Sequence, residues 1–193
     1  APFLTKLSLN VKAFVKFPLW AMLNPPKCKS AKKGWMFLNG TKYLVDAIIK
    51  YRHNINWVFY SSTSHVYPFQ KKKIKETYKL KPVSKYGKTK LLAENYLRKK
   101  FIKAKINFCV GRIFSIYDNK NNGFIIPNLK KKLKQNKKNL VLKYLNHYRD
   151  FLNTKQISKI IFFLWKKRYF GVINIGSGVK TNLKFVAKIF SKK

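Results

Sequence analysis

The chain has 193 residues, 46% hydrophobic and 16% aromatic, which is long and apolar enough to bury a core and excludes an intrinsically disordered protein. Its 44 Lys and Arg against 5 Asp and Glu give a net charge of +39, which attracts polyanions such as nucleic acid, anionic membrane or sugar nucleotides. No apolar run approaches the roughly 20 residues of a membrane span and residues 1–23 lack a signal-peptide cleavage site, so we expect a cytoplasmic protein without a span.

The first 115 residues predict two helices and two buried strands. Residues 1–38 show no clear periodicity. After them, apolar spacing, β-favouring runs and a Ser N-cap predict a helix over Gly40–Lys50, a strand over Trp57–Ser61, a helix from Ser84 to about Phe101 and a strand over Ile106–Ile113. We expect the two strands to lie side by side as inner strands of one sheet.

The rest of the chain continues the alternation of strands and helices. The patterns predict a loop over Asp118–Gly123, a short helix after Pro127 within Phe124–Leu140, a strand over Leu140–Leu145, a helix over Gln156–Trp165, a strand over Phe170–Ile175 and a helix over Asn182–Ser191. Strands that alternate with helices in this way indicate an α/β fold built on a parallel sheet.

The excess of lysine has two interpretations. Phe, Ile, Lys, Asn and Tyr are abundant while Arg, Ala and Gly are sparse, a composition typical of AT-rich coding sequences. The lysines are also spread along the chain, whereas a dedicated nucleic-acid surface would concentrate them. Both observations favour coding bias, although a basic protein that binds nucleic acid or an anionic surface remains an alternative.

Tyr86 and Lys90 form a candidate acid/base pair on the helix that follows Ser84. Residues four apart lie on one face of a helix, so the two side chains are near enough to interact. The ordinary pKa of tyrosine, about 10, is too high for a base at neutral pH, and a neighbouring ammonium is expected to lower it. Because Tyr and Lys are common in this chain, the spacing alone also fits an ordinary surface pair, and the surrounding motifs must decide.

Ordered motifs between residues 40 and 190 supply that context. In chain order they are Gly40-Thr41 at a helix start, WVFYSSTSHVY over residues 57–67 followed by Glu76, Pro82, Ser84 and YGKTKLLAE, RIFSIY over 112–117, RDF over 149–151 and GVINIGSG over 171–178. Together they resemble the extended short-chain dehydrogenase/reductase family, whose members are NAD-dependent nucleotide-sugar epimerases, dehydratases and reductases.

The resemblance implies a role for each matched residue. The catalytic group would be the hydroxyl of Thr63, the acid/base Tyr86 and its partner Lys90. The cofactor, NAD or NADP, would be held by Ser61, Ser62, Tyr86, Lys90 and Phe114. The substrate, a nucleotide-diphosphate sugar, would be bound by Ser115 and Arg149, since an Arg can grip a pyrophosphate with two hydrogen bonds. No metal is implied, and Cys28 and Cys109 lack the spacing of metal ligands.

The family's fold implies a partial doubly wound, Rossmann-like parallel sheet with a small C-terminal substrate-binding lobe. We expect residues 1–115 to be the C-terminal part of the dinucleotide-binding domain, and residues 116–193 to be a mixed lobe with a returning sheet strand and helix. The sequence has no Gly-x-x-Gly-x-x-Gly, the loop whose backbone amides bind the cofactor pyrophosphate. We therefore interpret it as an N-terminally truncated member, and a homodimer is an open alternative.

Several activities are compatible with the resemblance. A 4,6-dehydratase requires acidic residues directly after the catalytic Thr, and Ser64 and His65 stand there, which argues against that activity. A 4-epimerase and a 4-keto-sugar reductase both stay open, and the Arg-Ile-Phe-Ser segment that begins at Arg112 slightly favours the reductase. A non-catalytic remnant of the family is a further alternative.

Overall fold

The structure, a computed structural model, describes residues 30–51, 55–70, 72–118, 125–134 and 145–191. Helices and strands alternate through these ranges, as the sequence predicts. In chain order they are α1 (Ser30–Lys50), β1 (Val58–Thr63), α2 (Lys85–Lys103), β2 (Phe108–Ile113), β3 (Ser115–Tyr117), α3 (Ile125–Lys134), β4 (Tyr148–Arg149), β5 (Phe151–Asn153), α4 (Thr154–Lys166), β6 (Gly171–Ile175), β7 (Thr181–Asn182) and α5 (Leu183–Ser191). Within these ranges, no helix is long and apolar enough to cross a membrane.

A parallel sheet in the order β1-β2-β6 forms the centre of the fold. Strand β2 pairs with β1 from Phe108 opposite Val58 to Ile113 opposite Thr63, and its other edge pairs with β6. All six β2 residues are buried because the strand has a neighbour on each side and helices above and below. The predicted pairing of the two strands is confirmed, and among the described strands β2 is the inner one while β1 lies at the edge.

Helices cover both faces of the sheet. Because side chains alternate along a strand, successive β2 residues face opposite layers. One layer packs α1 and α2 on the sheet through Val45, Ile48, Leu97, Phe101, Ile106, Phe108 and Val110. The other packs α4 and β5 on the sheet through Cys109, Ile113, Leu152, Ile157, Leu164 and Ile175. The predicted three-layer arrangement is therefore present, and Cys109 is buried as expected.

Several element boundaries differ from the predicted ones. Helix α1 begins at Ser30, ten residues before the predicted start at Gly40. The sequence pattern missed this first half because Gly34 and Gly40 have low helix propensity. Strand β1 continues through Ser62 and Thr63, whose backbones still pair with β2. The predicted Leu140–Leu145 strand lies almost wholly outside the described residues.

Four short strands were not predicted, and they build two small ladders beside the sheet. Strands β3 and β5 pair in parallel, and β4 and β7 pair antiparallel. Strand β6 returns to the main sheet, as expected of the C-terminal part. The proposed domain boundary after residue 115 stays a prediction.

Two helical glycines give a matched test of how closely α2 approaches the segment after β1. A Cβ at Gly87 would overlap the His65 carbonyl oxygen, whereas a Cβ at Gly40 would meet nothing. We expect Gly87→Ala to lower the free energy of unfolding by about 1–3 kcal/mol through overpacking. Gly40→Ala should raise it by roughly 0.5–1 kcal/mol, because alanine favours the helix. Urea denaturation of both variants measures the difference, and equal effects would contradict the close approach of α2.

Candidate active site

The carboxyl end of β1 and the first half of α2 meet at one edge of the sheet. Ser84 caps α2, since its side-chain oxygen accepts a hydrogen bond from the Gly87 N–H at 3.0 Å. Gly87, having no side chain, lets the helix pack directly on the short 3₁₀ turn Ser64–Val66. This start places Tyr86, Lys90 and Glu94 at successive turns of one helix face.

Thr63 and Tyr86 are brought together, as the sequence analysis requires of the predicted catalytic group. The Thr63 side chain is near enough to the Tyr86 hydroxyl to act on its pKa, and Thr63 is buried at the end of β1. Although 47% of the Tyr86 surface is exposed, burial raises the pKa of its hydroxyl, and the nearby Thr63 side chain only partly opposes this. The phenol is therefore protonated at neutral pH.

Lys90 does not act on Tyr86 as the sequence suggested. The expected lowering of the Tyr86 pKa by the ammonium is wrong in this structure, because the lysine turns toward the strand. Its Nζ donates a hydrogen bond of 2.6 Å to the Ser61 carbonyl oxygen and lies 4.5 Å from the centre of the Tyr60 ring. Burial lowers the pKa of Lys90 to about 8, against the opposing charge of Glu94, so this lysine ionises near physiological pH.

Ser61 and Ser62 were both predicted to contact a cofactor. In the structure Ser61 forms a hydrogen bond through its backbone and Ser62 through its side chain. Ser61 offers its carbonyl oxygen to Lys90, while the buried Ser62 hydroxyl donates to the Glu94 carboxylate. Glu94 in turn forms an ion pair with Arg112, with 2.8 Å between nitrogen and oxygen. Sequence reasoning did not identify this pair, although Glu94 follows Tyr86 and Lys90 at the same four-residue spacing.

His65 is a second group near Tyr86 that sequence reasoning did not assign. Its ring meets the Tyr86 ring edge-on, with 5.8 Å between the centroids. Burial and, secondarily, the positive charge of Arg149 lower the pKa of the imidazole. Arg149, the predicted substrate residue on β4, thus acts electrostatically on the group that contacts Tyr86. The sequence feature that could have identified His65 is its position, two residues after the predicted catalytic Thr63.

Phe114 and Ser115 follow β2 at the same edge of the sheet. Their backbone N–H groups donate to the carbonyl oxygens of Ile175 and Asp150, at 3.0 and 2.9 Å. Both residues are half-buried. Their predicted roles toward cofactor and substrate stay predictions.

Asp150 joins two motifs that are far apart in the sequence. Its carboxylate accepts hydrogen bonds from the Ser177 N–H at 2.7 Å, the Ser177 hydroxyl at 2.6 Å and the Gly178 N–H at 2.8 Å. Gly178 has a φ of +76°, a conformation that favours glycine. The turn after β6 is therefore fixed beside Arg149. Among the described residues, no group of His, Cys, Asp or Glu side chains is placed to hold a metal ion.

Comparison with known proteins gives a consistent result. A sequence model described as the NAD dependent epimerase/dehydratase family matches residues 32–176. Similar solved structures include a UDP-N-acetylglucosamine 4-epimerase from Methanobrevibacter ruminantium M1 in complex with UDP-N-acetylmuramic acid, at 24% identity and a TM-score of 0.69, with 80% of this chain and 51% of that chain covered.

Two further structures extend the comparison. The UDP-glucuronic acid 4-epimerase from Bacillus cereus, in complex with UDP-glucuronic acid and NAD, has 23% identity and a TM-score of 0.71 over 81% of this chain and 50% of its own. The dTDP-glucose 4,6-dehydratase from Bacillus anthracis, in complex with NAD, has 22% identity and a TM-score of 0.75 over 86% and 54%. This chain thus spans about half the length of these structures. Their likeness confirms the predicted Rossmann-like α/β fold.

Lys90 provides a test of the site's electrostatics through the pH dependence of stability. Its folded pKa, about 8, lies below the ordinary 10.5, so between these values the unfolded chain binds more protons and stability rises with pH. Lys90 should contribute about 3 kcal/mol to this rise.

The measurement is urea denaturation at about pH 8 and about pH 10.5. Lys90→Met should lose the lysine's share of the rise, whereas Lys88→Met, which alters an exposed lysine of the same helix, should retain it. If the wild type and Lys90→Met show the same rise, the Lys90 ammonium is not buried as described.

Proposed function

We propose that this chain, which belongs to the NAD dependent epimerase/dehydratase family, carries the acid/base half of a nucleotide-sugar oxidoreductase. The reaction would take place at position 4 of the sugar in a nucleotide-diphosphate sugar, as in a 4-keto-sugar reductase or a 4-epimerase. The observation that carries the proposal is the convergence of Thr63, Tyr86 and Lys90 at one edge of the sheet.

The state of Tyr86 favours the reductase of the two alternatives. A protonated phenol is a donor, and it can give its proton to the oxygen of a 4-keto group as that carbonyl is reduced to an alcohol. The Thr63 hydroxyl, which lies beside Tyr86, would bind the same oxygen. An epimerase would in addition require the deprotonated form of Tyr86, as a base, in its first step.

The residues near Tyr86 fit a nucleotide-diphosphate sugar. The Arg149 guanidinium is suited to a diphosphate, which it can grip with two parallel hydrogen bonds. His65, neutral at physiological pH because its pKa is lowered, is exposed, and its ring lies edge-on to the Tyr86 ring. It would offer the sugar a hydrogen-bonding group without adding charge.

The residues of this chain fit the ribose of a dinucleotide cofactor but not its pyrophosphate. When bound, NAD or NADP would supply the hydride for this chemistry. Tyr86 and Lys90 would hold its ribose, because Lys90 Nζ has three donors, of which Ser61 accepts one. The pyrophosphate is not matched, since the sequence contains no Gly-x-x-Gly-x-x-Gly.

The net charge supports a second candidate function, the binding of polyanions. All five carboxylates of the sequence make internal contacts: Asp46 with Tyr96 and Lys100, Glu76 with the Asn174 N–H, Glu94 with Arg112, Asp118 with Thr154 and Asp150 with Ser177. Five carboxylates cannot offset the 44 Lys and Arg, so the surface is strongly cationic. Such a surface would bind nucleic acid without reading its sequence.

Cofactor titration and turnover test the enzymatic proposal. We expect the 193-residue chain to bind NAD and NADP poorly and to turn over no nucleotide sugar, because its diffuse lysine charge cannot replace directed backbone amides. A chain extended by an N-terminal segment with the glycine loop should be active. In that form Tyr86→Phe should lower turnover by ~10²–10⁴, the usual loss for a positioned acid/base.

Calorimetric titration of the short chain and a coupled NADH assay of the extended chain provide these measurements. Tyr43→Phe, at a tyrosine 74% exposed on α1, is the matched control and should leave turnover unchanged. Tight NAD binding by the short chain would show that its cofactor site lies elsewhere. A fully active Tyr86→Phe would remove Tyr86 from the mechanism.

The salt dependence of nucleic-acid binding tests the second candidate. If only the background charge is responsible, binding should be weak, equal for unrelated sequences and steeply reduced as salt rises, because counterion release drives it. Fluorescence anisotropy with two DNA duplexes of different sequence, measured over a salt series, gives both quantities. Tight binding that survives raised salt and discriminates between the duplexes would favour a dedicated nucleic-acid function instead.

A further inference from the structure

The end of β1 and one face of α2 are joined by three contacts. The Ser61 carbonyl oxygen accepts from Lys90, the Ser62 hydroxyl donates to Glu94, and the Thr63 side chain lies beside Tyr86. Three consecutive strand residues therefore each contact a residue on the same face of α2. Two of these interactions involve predicted catalytic side chains, whereas the third, at Glu94, has no assigned role.

Glu94 is held from the opposite side by Arg112 on β2. Both side chains are almost fully buried, at 0% and 2% exposure. Arg112 Nη2 donates to Glu94 Oε2 at 2.8 Å, and its Nε lies 3.3 Å from each carboxylate oxygen. A guanidinium that engages a carboxylate through two nitrogens fixes the orientation of both groups, which a lysine at position 112 would not do.

The remaining donor group of Arg112 extends the contacts to the rest of the sheet edge. Nη1 donates to the Tyr67 hydroxyl at 2.8 Å and to the Glu76 carbonyl oxygen at 3.3 Å. The Tyr67 hydroxyl donates in turn to the Asn174 side-chain oxygen on β6 at 2.8 Å. Through Arg112, the position of α2 is thus tied to all three strands of the main sheet.

A buried ion pair is a poor way to gain stability, because removing both charges from water costs as much as their attraction returns. Its presence at this position therefore calls for a reason other than stability. Glu94 lies one helical turn from Lys90, and its charge acts on that lysine. It also holds Ser62, the residue between the partners of Lys90 and Tyr86.

We propose that the Glu94–Arg112 ion pair is a positioning unit, which fixes α2 against the end of β1 and so sets the geometry of Thr63, Tyr86 and Lys90. The unit touches neither substrate nor cofactor, and it acts through Ser62 and through the charge beside Lys90. The catalytic meaning of the geometry rests on the proposed function. The geometry itself can be measured in the 193-residue chain alone.

The test removes both charges together, since Glu94→Gln alone would leave a buried, unpaired Arg112 and threatens folding. The double variant Glu94→Leu with Arg112→Met keeps the volume and an apolar interior, a replacement that proteins often tolerate. The matched control is Asp46→Asn with Lys100→Met, which removes an exposed ion pair between α1 and α2. Both proteins are compared with the wild type well below their melting temperatures.

Nuclear magnetic resonance provides two readouts at the site. The first is the titration of the Lys90 ammonium, assigned by its absence in Lys90→Met; the groups facing it are Glu94 and the Tyr60 ring. The second is the cross-relaxation between the Tyr86 ring and the Thr63 methyl group. In the charge-free variant the Lys90 pKa should fall by about one unit from its value of about 8, and the Tyr86–Thr63 signal should be lost.

The control should retain both signals, and a folded charge-free variant that also retains both would overturn the proposal. If that variant does not fold, Ser62→Ala decides, because it breaks only the link between Glu94 and β1. A weakened Tyr86–Thr63 signal in Ser62→Ala supports the proposal, and an unchanged signal refutes it. Since neither readout uses substrate or cofactor, an inactive extended chain would count against the proposed function and not against the positioning unit.

Discussion

The burial of charge between β1 and α2 is the constraint on which the site depends. Lys90 and the Glu94–Arg112 pair lie inside the protein, where an ion is stable only if hydrogen-bond partners replace the lost water. Those partners are backbone and hydroxyl groups at the end of β1, so helix and strand can pack only in the register that supplies them. The same register brings Thr63 to Tyr86. The geometry that the proposed chemistry needs is thus a consequence of satisfying buried charges.

The sequence predicts the elements of this site because their signals are local. The Ser84 cap, the four-residue spacing of Tyr86 and Lys90, and the apolar run before Ser61 are read over a few residues, and each leads to the observed helix or strand. The direction of Lys90 and the raised pKa of Tyr86 could not be predicted in this way. Both arise from packing between groups more than 20 residues apart, and a helical spacing does not contain that information.

The short strands could not be predicted from the sequence for a different reason. Strands β4 and β7 have two residues each, too few for an alternating pattern, and they form because the Asp150 carboxylate holds the turn after β6 in place. The Arg-Asp-Phe and Gly-Ser-Gly motifs were recognised separately, yet their interaction needed the fold. A motif match thus identifies candidate functional residues, but only the fold shows which of them interact.

The distribution of carboxylates connects the unusual charge to the structure. An exposed acidic residue contributes at most about 1 kcal/mol through a surface ion pair, so a drift in composition toward lysine can remove it at little cost to folding. Loss of Glu94 would leave Arg112 buried and unpaired, which typically costs about 3–5 kcal/mol. Asp150 likewise satisfies two backbone N–H groups and a hydroxyl that would otherwise lack an acceptor. Glu94 is fully buried and Asp118 and Asp150 are partly buried, so folding would oppose their loss, whereas Asp46 and Glu76 are exposed and have no such protection. The same drift, acting on surface positions alone, produces a strongly cationic protein without any selection for a polyanionic partner.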